Sequence, residues 1–383
     1  IILVDSMLFD FLTTFFYINI ILYFFLLLWF ILGLFKIKLL SDNPHINCIK
    51  DVSVIICVKN GAIQLPTVLN DLLNQEYQGN IEFIIVDDNS IDKTSSIILP
   101  YLEKDKRFKY IHSKHGCKSL SHKKRALDAG IKASKYEYLV FSDIGCRLDK
   151  HWIGSIMNNY IHEINYVIGL SFVIGPTNMT SNFQKIDLFM LMMAMLSSMK
   201  FNYPLASSGQ NLSYKKDVFV SMQGFTKISH LMMGDDSIFM QMGLNQNIIK
   251  PCVALHPNSF VKSKLIYNWI DLFYQRIRWA GDGIIMWKYN KYFYSIMLVT
   301  FLTNLFYLFS PFIFYKYIKF LMIIFSVKFL FEFILYVYGS FKVNHKISIR
   351  YFVMWFFIQI PYIVLVGIFS PFASYIGWKN QSS

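Results

Sequence analysis

The sequence predicts an α/β domain built on a mostly parallel sheet and flanked by membrane-spanning helices. Three observations lead there. The chain of 383 residues is 55% hydrophobic and only 16% charged, against about 25% charged in ordinary soluble domains. Four stretches, 8–35, 293–314, 317–338 and 351–371, are apolar over the ~20 residues a helix needs to cross hydrocarbon. Between the first and second, β-branched runs alternate with helical patterns, a rhythm that lays parallel strands under covering helices.

In chain order, Met7–Phe35 is too long for a signal-peptide core and reads as a retained span. VSVIICV (52–58) is a short β-branched run, the mark of a buried strand. A helix follows from Pro66 to Gln75, then IEFIIVDDNS (81–90) as a second strand ending in carboxylates. RFKYIHS (107–113) gives a third strand, SHKKRALDAGIKAS a helix, and YEYLVFSDIGCRL (136–148) a fourth strand. Ligands of open sheets gather beyond the carboxyl ends of strands, which singles out Asp87, Asp88 and Asp143. FMLMMAML (189–196) is too short to span and reads as helix core. The aromatic run LIYNWIDLFYQRIRWAGDGIIMW suits a helix at headgroup level near 265–290. The linear division is a first helix (1–40), an α/β segment (41–290) and three further helices (291–383).

The net charge of +13 is dispersed, so cations beside a membrane or a polyphosphate substrate explain it better than nucleic acid. Five cysteines, Cys48, Cys57, Cys117, Cys146 and Cys252, form no C-x-x-C pair and are odd in number. A reducing compartment is expected, with neither a disulfide framework nor a structural zinc. His112, His115, Cys117 and His122 lack the tight ligand spacing of a zinc site. Lys36, Lys38, Lys342, Lys346 and Arg350 fall on one side if the middle segment is cytoplasmic, whereas Lys316 and Lys319 fall on the other. Glu332 is the one charge expected inside the spans, which argues against a transporter.

VSVIICVKN, IIVDDNS, HKKRALDAGI, FSDIGCRLDKHWI, SSGQNLSYKKDVFVSMQGF, GDDSIF and QRIRW follow one another in a single order. That series resembles membrane-bound family 2 glycosyltransferases, from about residue 52 to 279. The resemblance implies the type A glycosyltransferase fold and an inverting transfer of a sugar from a nucleotide donor, UDP-linked by expectation. The acceptor would be a hydroxyl of a lipid-linked or polysaccharide molecule. It implies Asp87 or Asp88 on the nucleotide base, Lys123 near the nucleotide, and Asp143 on ribose and a divalent cation. Asp236 takes the place of the catalytic base and Asp235 that of the acid before it; Gly209, Gln210 and Asn211 line the acceptor side. In Q-x-x-R-W, Gln275, Arg278 and Trp279 share a helix face while Arg276 points elsewhere. Arg278 then meets phosphate, and Trp279 and Gln275 meet the acceptor.

The implied cofactor is Mg²⁺ or Mn²⁺, yet Gly145 stands where the D-x-D pattern has its second Asp and brings no ligand atom. Asp149 and His256 are the candidate substitutes. Two alternatives stay open: a processive polysaccharide synthase, and a degenerate binding protein without turnover. The expected setting is an integral protein of the cell (inner) membrane, with its catalytic domain cytoplasmic and its role in cell-envelope polysaccharide biosynthesis. Membrane lipids would be its other partners.

Overall fold

The computed structural model describes residues 2–37, 49–176, 178–313 and 317–375; Lys38, Cys48 and Lys316 lie outside them. The long apolar helix α1 (Ile2–Phe35) is followed by β1 (Val52–Val58), α2 (Leu65–Leu73), β2 (Ile81–Asp87), α3 (Thr94–Lys104) and β3 (Phe108–His112). β2 is buried at every position and β1 at all but one, as expected of strands covered on both faces. Pro66 sits in the first turn of α2, where its missing N–H costs nothing. Leu65, Val68, Leu69 and Leu72 form the buried stripe of that helix. Next come α4 (His122–Ala133), β4 (Tyr138–Asp143), α5 (Trp152–Met157), β5 (Tyr166–Gly169) and β6 (Ser171–Val173). The remaining elements are α6 (Met179–Met199), β7 (Leu212–Lys215), α7 (Lys216–Ser221), α8 (Ser237–Asn245), β8 (Pro251–Ala254), β9 (Val261–Ser263) and the helices α9 (Trp269–Ile285), α10 (Lys291–Ile313), α11 (Ile318–Lys342) and α12 (Ile349–Phe369).

Seven strands form one sheet in the order β3-β2-β1-β4-β7-β5-β8. β3, β2, β1 and β4 run parallel, β7 runs against both β4 and β5, and β8 is parallel to β5. β6 and β9 pair separately. The fourth strand stops earlier than the sequence suggests. After Asp143 the chain turns, with the Cys146 N–H donating to the Asp143 carbonyl at 3.0 Å, so Gly145 lies in a turn instead of a strand. The second strand likewise ends at Asp87, and Asn89 takes a φ of 57° in the turn that follows.

The chain forms two compact units. One holds β1–β9 with α2–α5, α7 and α8; the other gathers α1, α6 and α9–α12. Thus α6 and α9 group with the apolar helices, although in sequence both fall within 41–290. Among the described residues four helices are long and apolar enough to cross a membrane: Thr13–Phe35, Lys291–Ile313, Ile318–Lys342 and Ile349–Ala373. Among them Glu332 is not the lone buried charge. Lys328, one turn earlier, is equally buried and its Nζ reaches Glu332 Oε1 at 2.6 Å. Tyr23 Oη donates to the same oxygen and Gln359 Nε2 to the other, both at 2.6 Å. The KFLFEF pattern places the two charges four residues apart, on one helix face.

Candidate functional site

The α/β unit assembles its charged residues at the carboxyl ends of β1, β2 and β4. Parallel register sets Cys57 beside Asp143 and Val58 beside Asp87. Asp87 is committed to structure: one oxygen accepts the Ser90 N–H at 2.9 Å and the other the Tyr110 hydroxyl at 2.6 Å. Asp88 is held by its backbone N–H to the Val58 carbonyl at 2.8 Å. Among the described residues its carboxylate meets only Lys59, at 3.7 Å. Of the two candidates, Asp88 therefore retains acceptor capacity for a ligand. The loops after β1 and β2 are stitched together, Asn60 Oδ1 accepting from the Ile91 N–H and Thr94 Oγ1 from the Gly61 N–H, each at 2.9 Å.

The start of α4 carries two lysines with opposite duties. Lys123 Nζ donates to Asp143 Oδ1 at 2.9 Å and lies 3.6 Å from Asp235 Oδ2. Burial works against this ammonium, but the two carboxylates outweigh it and hold its pKa well above the ordinary value. Lys124, which the sequence reading passed over, is fully buried and donates to the carbonyls of Ile228, Leu231 and Met233. It fastens the loop leading to Asp235, a role invisible without knowing which loop packs on the helix. His122 precedes them with a φ of 52°, a left-handed backbone that costs L-residues about 1–2 kcal/mol. Glycine takes that conformation without a clash, which fits the glycine of the related pattern. His122→Gly should raise stability by roughly 0.5–1 kcal/mol, read as a higher Tm in detergent. An unchanged or lower Tm would show that the imidazole offsets the strain.

Asp236 caps α8, accepting the Ser237 N–H on Oδ1 and the Gly209 N–H on Oδ2 at 3.0 Å. Burial first, and the neighbouring Asp235 charge second, push its carboxyl up to about 6, while the two N–H donors and Lys123 pull the other way. The 204–211 segment is bolted to α8. Ser237 Oγ donates to the Ser207 carbonyl at 2.8 Å, and Gln241 Nε2 donates to the carbonyls of Pro204 and Leu205 at 2.7 and 2.9 Å. A Cβ on Gly209 would stand 3.1 Å from Lys123 Nζ and 3.6 Å from Asp236 Oδ2, so the missing side chain lets backbone approach the charges. Asn211 is fully buried and spent: its amide donates to the Leu170 and Ser259 carbonyls at 2.8 Å and its oxygen accepts from Trp152. Expected on the acceptor side, it instead holds the sheet together from within. Gln210 keeps its side-chain oxygen buried without a partner. Cys57 lies among these groups; burial pushes its thiol up, and the charges of Lys123, Asp235, Asp143 and Asp88 all reach it.

The donor set does not fit a protein-held divalent cation. Asp143 is paired with Lys123, and at the position of the second D-x-D carboxylate stands Gly145, which has no ligand atom. A Cβ on Gly145 would meet the Lys264 stem at 3.1 Å from Cβ and 3.3 Å from Cδ. The two candidate substitutes serve local turns. Asp149 accepts the His151 N–H at 2.9 Å, and His256 Nδ1 accepts the Asn258 N–H at 3.3 Å. Among the described residues no three His, Cys, Asp or Glu gather closely enough to hold an ion.

In the helical unit, α9 presents Q-x-x-R-W differently from expectation. Arg276 does not point away from its neighbours: Nε bonds Asp187 at 2.8 Å, Nη1 bonds Gln275 Oε1 at 2.7 Å, and the guanidinium lies 4.2 Å over the Trp279 ring. The i,i+3 spacing of Arg276 and Trp279 allows that stacking. Arg278 is half-buried, which lowers its pKa, and among the described residues it has no carboxylate or hydrogen-bond partner.

Residues 53–223 match the model of the family "Glycosyl transferase family 2". EpsH of Bacillus subtilis, named as a glycosyltransferase, is 37% identical over 118 residues, 30% of this chain and 32% of that protein. Glycosyltransferase GlyG of Streptococcus pneumoniae is 30% identical over 92 residues, 24% of this chain and 29% of that one. The chain thus spans about a third or less of the length of these curated relatives. A mannosyltransferase of Pyrobaculum calidifontis, PcManGT, solved in complex with GDP-Man and Mn²⁺, superposes over 97% of this chain and 98% of its own. Its TM-score of 0.57 at 13% identity shows a shared fold. The α/β unit accordingly has the type A glycosyltransferase fold, and residues 53–223 are similar to glycosyltransferase family 2 domains.

Proposed function

We propose that the protein is an inverting, membrane-embedded glycosyltransferase that moves a sugar from a nucleotide donor, UDP-linked by preference, to a hydroxyl of a lipid-linked or polysaccharide acceptor. The observation that carries this reading is the Lys123 bridge. One ammonium joins the strand-end carboxylate Asp143 to Asp235, beside a base, Asp236, whose pKa is raised to about 6. Asp88 receives the imide N–H of the nucleotide base, and Asp143 faces the ribose. Asp236 takes the proton of the acceptor hydroxyl as its oxygen bonds the anomeric carbon from the face opposite the leaving group. The bond from that carbon to the diphosphate oxygen breaks, and the nucleoside diphosphate leaves with the electron pair. Arg278, charged and unmatched within its unit, is assigned to the departing phosphates, and Trp279 with Gln275 to the acceptor. We assign the protein to the cell (inner) membrane with its catalytic domain cytoplasmic, a reading supported by four helices long and apolar enough to cross a membrane.

A donor screen on the detergent-purified chain, with mass spectrometry of the product, tests the reading; no turnover of any nucleotide sugar with lipid or glycan acceptors overturns it. Product length separates single transfers from a processive synthase. Gly145 favours the degenerate binding protein as the second reading, and turnover decides against it. Arg278→Lys should lower kcat about tenfold or more, because an ammonium replaces the two-pronged guanidinium contact with a point charge. A kcat equal to the parent's removes Arg278 from the leaving-group role.

A further inference from the structure

We propose that Asp187 of α6 is a positioning residue for the transfer: through Arg276 it fixes the two side chains, Gln275 and Trp279, that meet the acceptor. The inference rests on the nucleotide-sugar reading above, and every residue it uses belongs to the helical unit. α6 backs α9 from its entry onward. Asn178 Nδ2 donates to the Tyr267 carbonyl at 2.7 Å, and Gln184 Oε1 accepts the Ile266 N–H at 2.9 Å. The Phe183 ring packs 5.3 Å from that of Trp269. Asp187 lies one turn beyond Phe183 and Arg276 two turns beyond Trp269, so the same two helix faces meet again there. Arg276 Nε donates to Asp187 Oδ2 at 2.8 Å, and Nη2 lies 2.7 Å from the same oxygen. The two side chains are only 6% and 13% exposed, so the pair is weakly screened and holds the guanidinium in one orientation.

The rest of that guanidinium sets its neighbours. Nη1 donates to Gln275 Oε1 at 2.7 Å, which occupies the oxygen and turns the amide N–H groups of Gln275 toward other partners. The guanidinium carbon lies 4.2 Å over the Trp279 ring and so fixes the indole from one face. An ammonium in the same place would have neither a fork to divide between Asp187 and Gln275 nor a plane to stack. Holding both side chains in place beforehand removes their ordering cost from acceptor binding. That help is the same in the ground state and the transition state, so its loss falls on the acceptor KM and not on kcat.

The test uses the full chain in a sugar-free detergent. Octyl β-D-glucoside, octyl β-D-galactoside and octyl N-acetyl-β-D-glucosaminide serve as acceptors for the nucleotide sugars of the donor screen. Arg276→Lys and Asp187→Asn should each raise the acceptor KM about tenfold while donor KM and kcat stay within about twofold of the parent. Subtracting the emission of the matching Trp279→Phe protein isolates the Trp279 indole, whose quenching by acrylamide should rise in both variants. Glu332→Leu loosens the same unit through other contacts; it should lower Tm and move neither readout. Parental acceptor KM or parental quenching in the two α6–α9 variants overturns the proposal, as does an equal change in Glu332→Leu. If the parent transfers to none of these acceptors, the nucleotide-sugar reading itself fails and the inference falls with it.

Discussion

Asp236→Asn should leave the protein folded and able to bind nucleotide while lowering transfer about 10²- to 10⁴-fold. Asparagine caps a helix as well as aspartate does, so the Ser237 N–H keeps its acceptor. Only the second bond, from the Gly209 N–H, is put at risk, a cost of about 1 kcal/mol. Alanine would remove the cap too and confuse a lost base with a loosened α8. The same carboxylate predicts the acid limb of the pH profile. A base works when deprotonated, and burial with the Asp235 charge raises Asp236 to about 6. Transfer should therefore climb as pH rises through 6 and level off above it. The limb should vanish from the residual activity of Asp236→Asn. Near-parental turnover in that variant, or a limb that survives the substitution, removes Asp236 from proton transfer.

Glu332→Leu should destabilise the protein by roughly 3–5 kcal/mol, because it leaves Lys328 buried without its counter-charge. Glu332 is also the acceptor for Tyr23 and Gln359, so three helices lose a tie at once. Replacing both charges, Lys328→Leu with Glu332→Leu, should recover most of the loss, since the desolvation of the pair disappears with it. Thermal unfolding in detergent reads the difference. Equal losses in the single and double variants would show that the hydroxyl and amide ties, not the stranded ammonium, set the cost.

The first four strands, α2 and α4 were legible because each is long enough to show a period: β1, β3 and α4 lie within a residue of expectation, while β2 and β4 end three and five residues sooner. β5 to β9 are three or four residues long, too short for alternation to stand out. The carboxylates of the site could be named from order and spacing, but not their division of labour. Tyr110 decides that Asp87 is structural, and it belongs to a different strand, 23 residues away. Asn211 and Lys124 were misjudged or missed for a similar reason. A polar residue that feeds buried carbonyls looks, in sequence, like one that feeds a ligand. Arg276 shows the limit of helical-wheel reasoning, for its long side chain folds back over Trp279 and defeats the angle assigned from its Cα.

β7 runs against both of its neighbours in the sheet, so its beginning, not its end, lies level with the ends of β1, β2 and β4. The peptide entering that strand, Ser207 to Asn211, is thereby delivered to the working rim from the opposite chain direction. The far rim, where Asp105 to Arg107 and Glu137 lie, is left to scaffold duties alone, and affinity handles or fluorophores grafted there would report on the chemistry without trespassing on it.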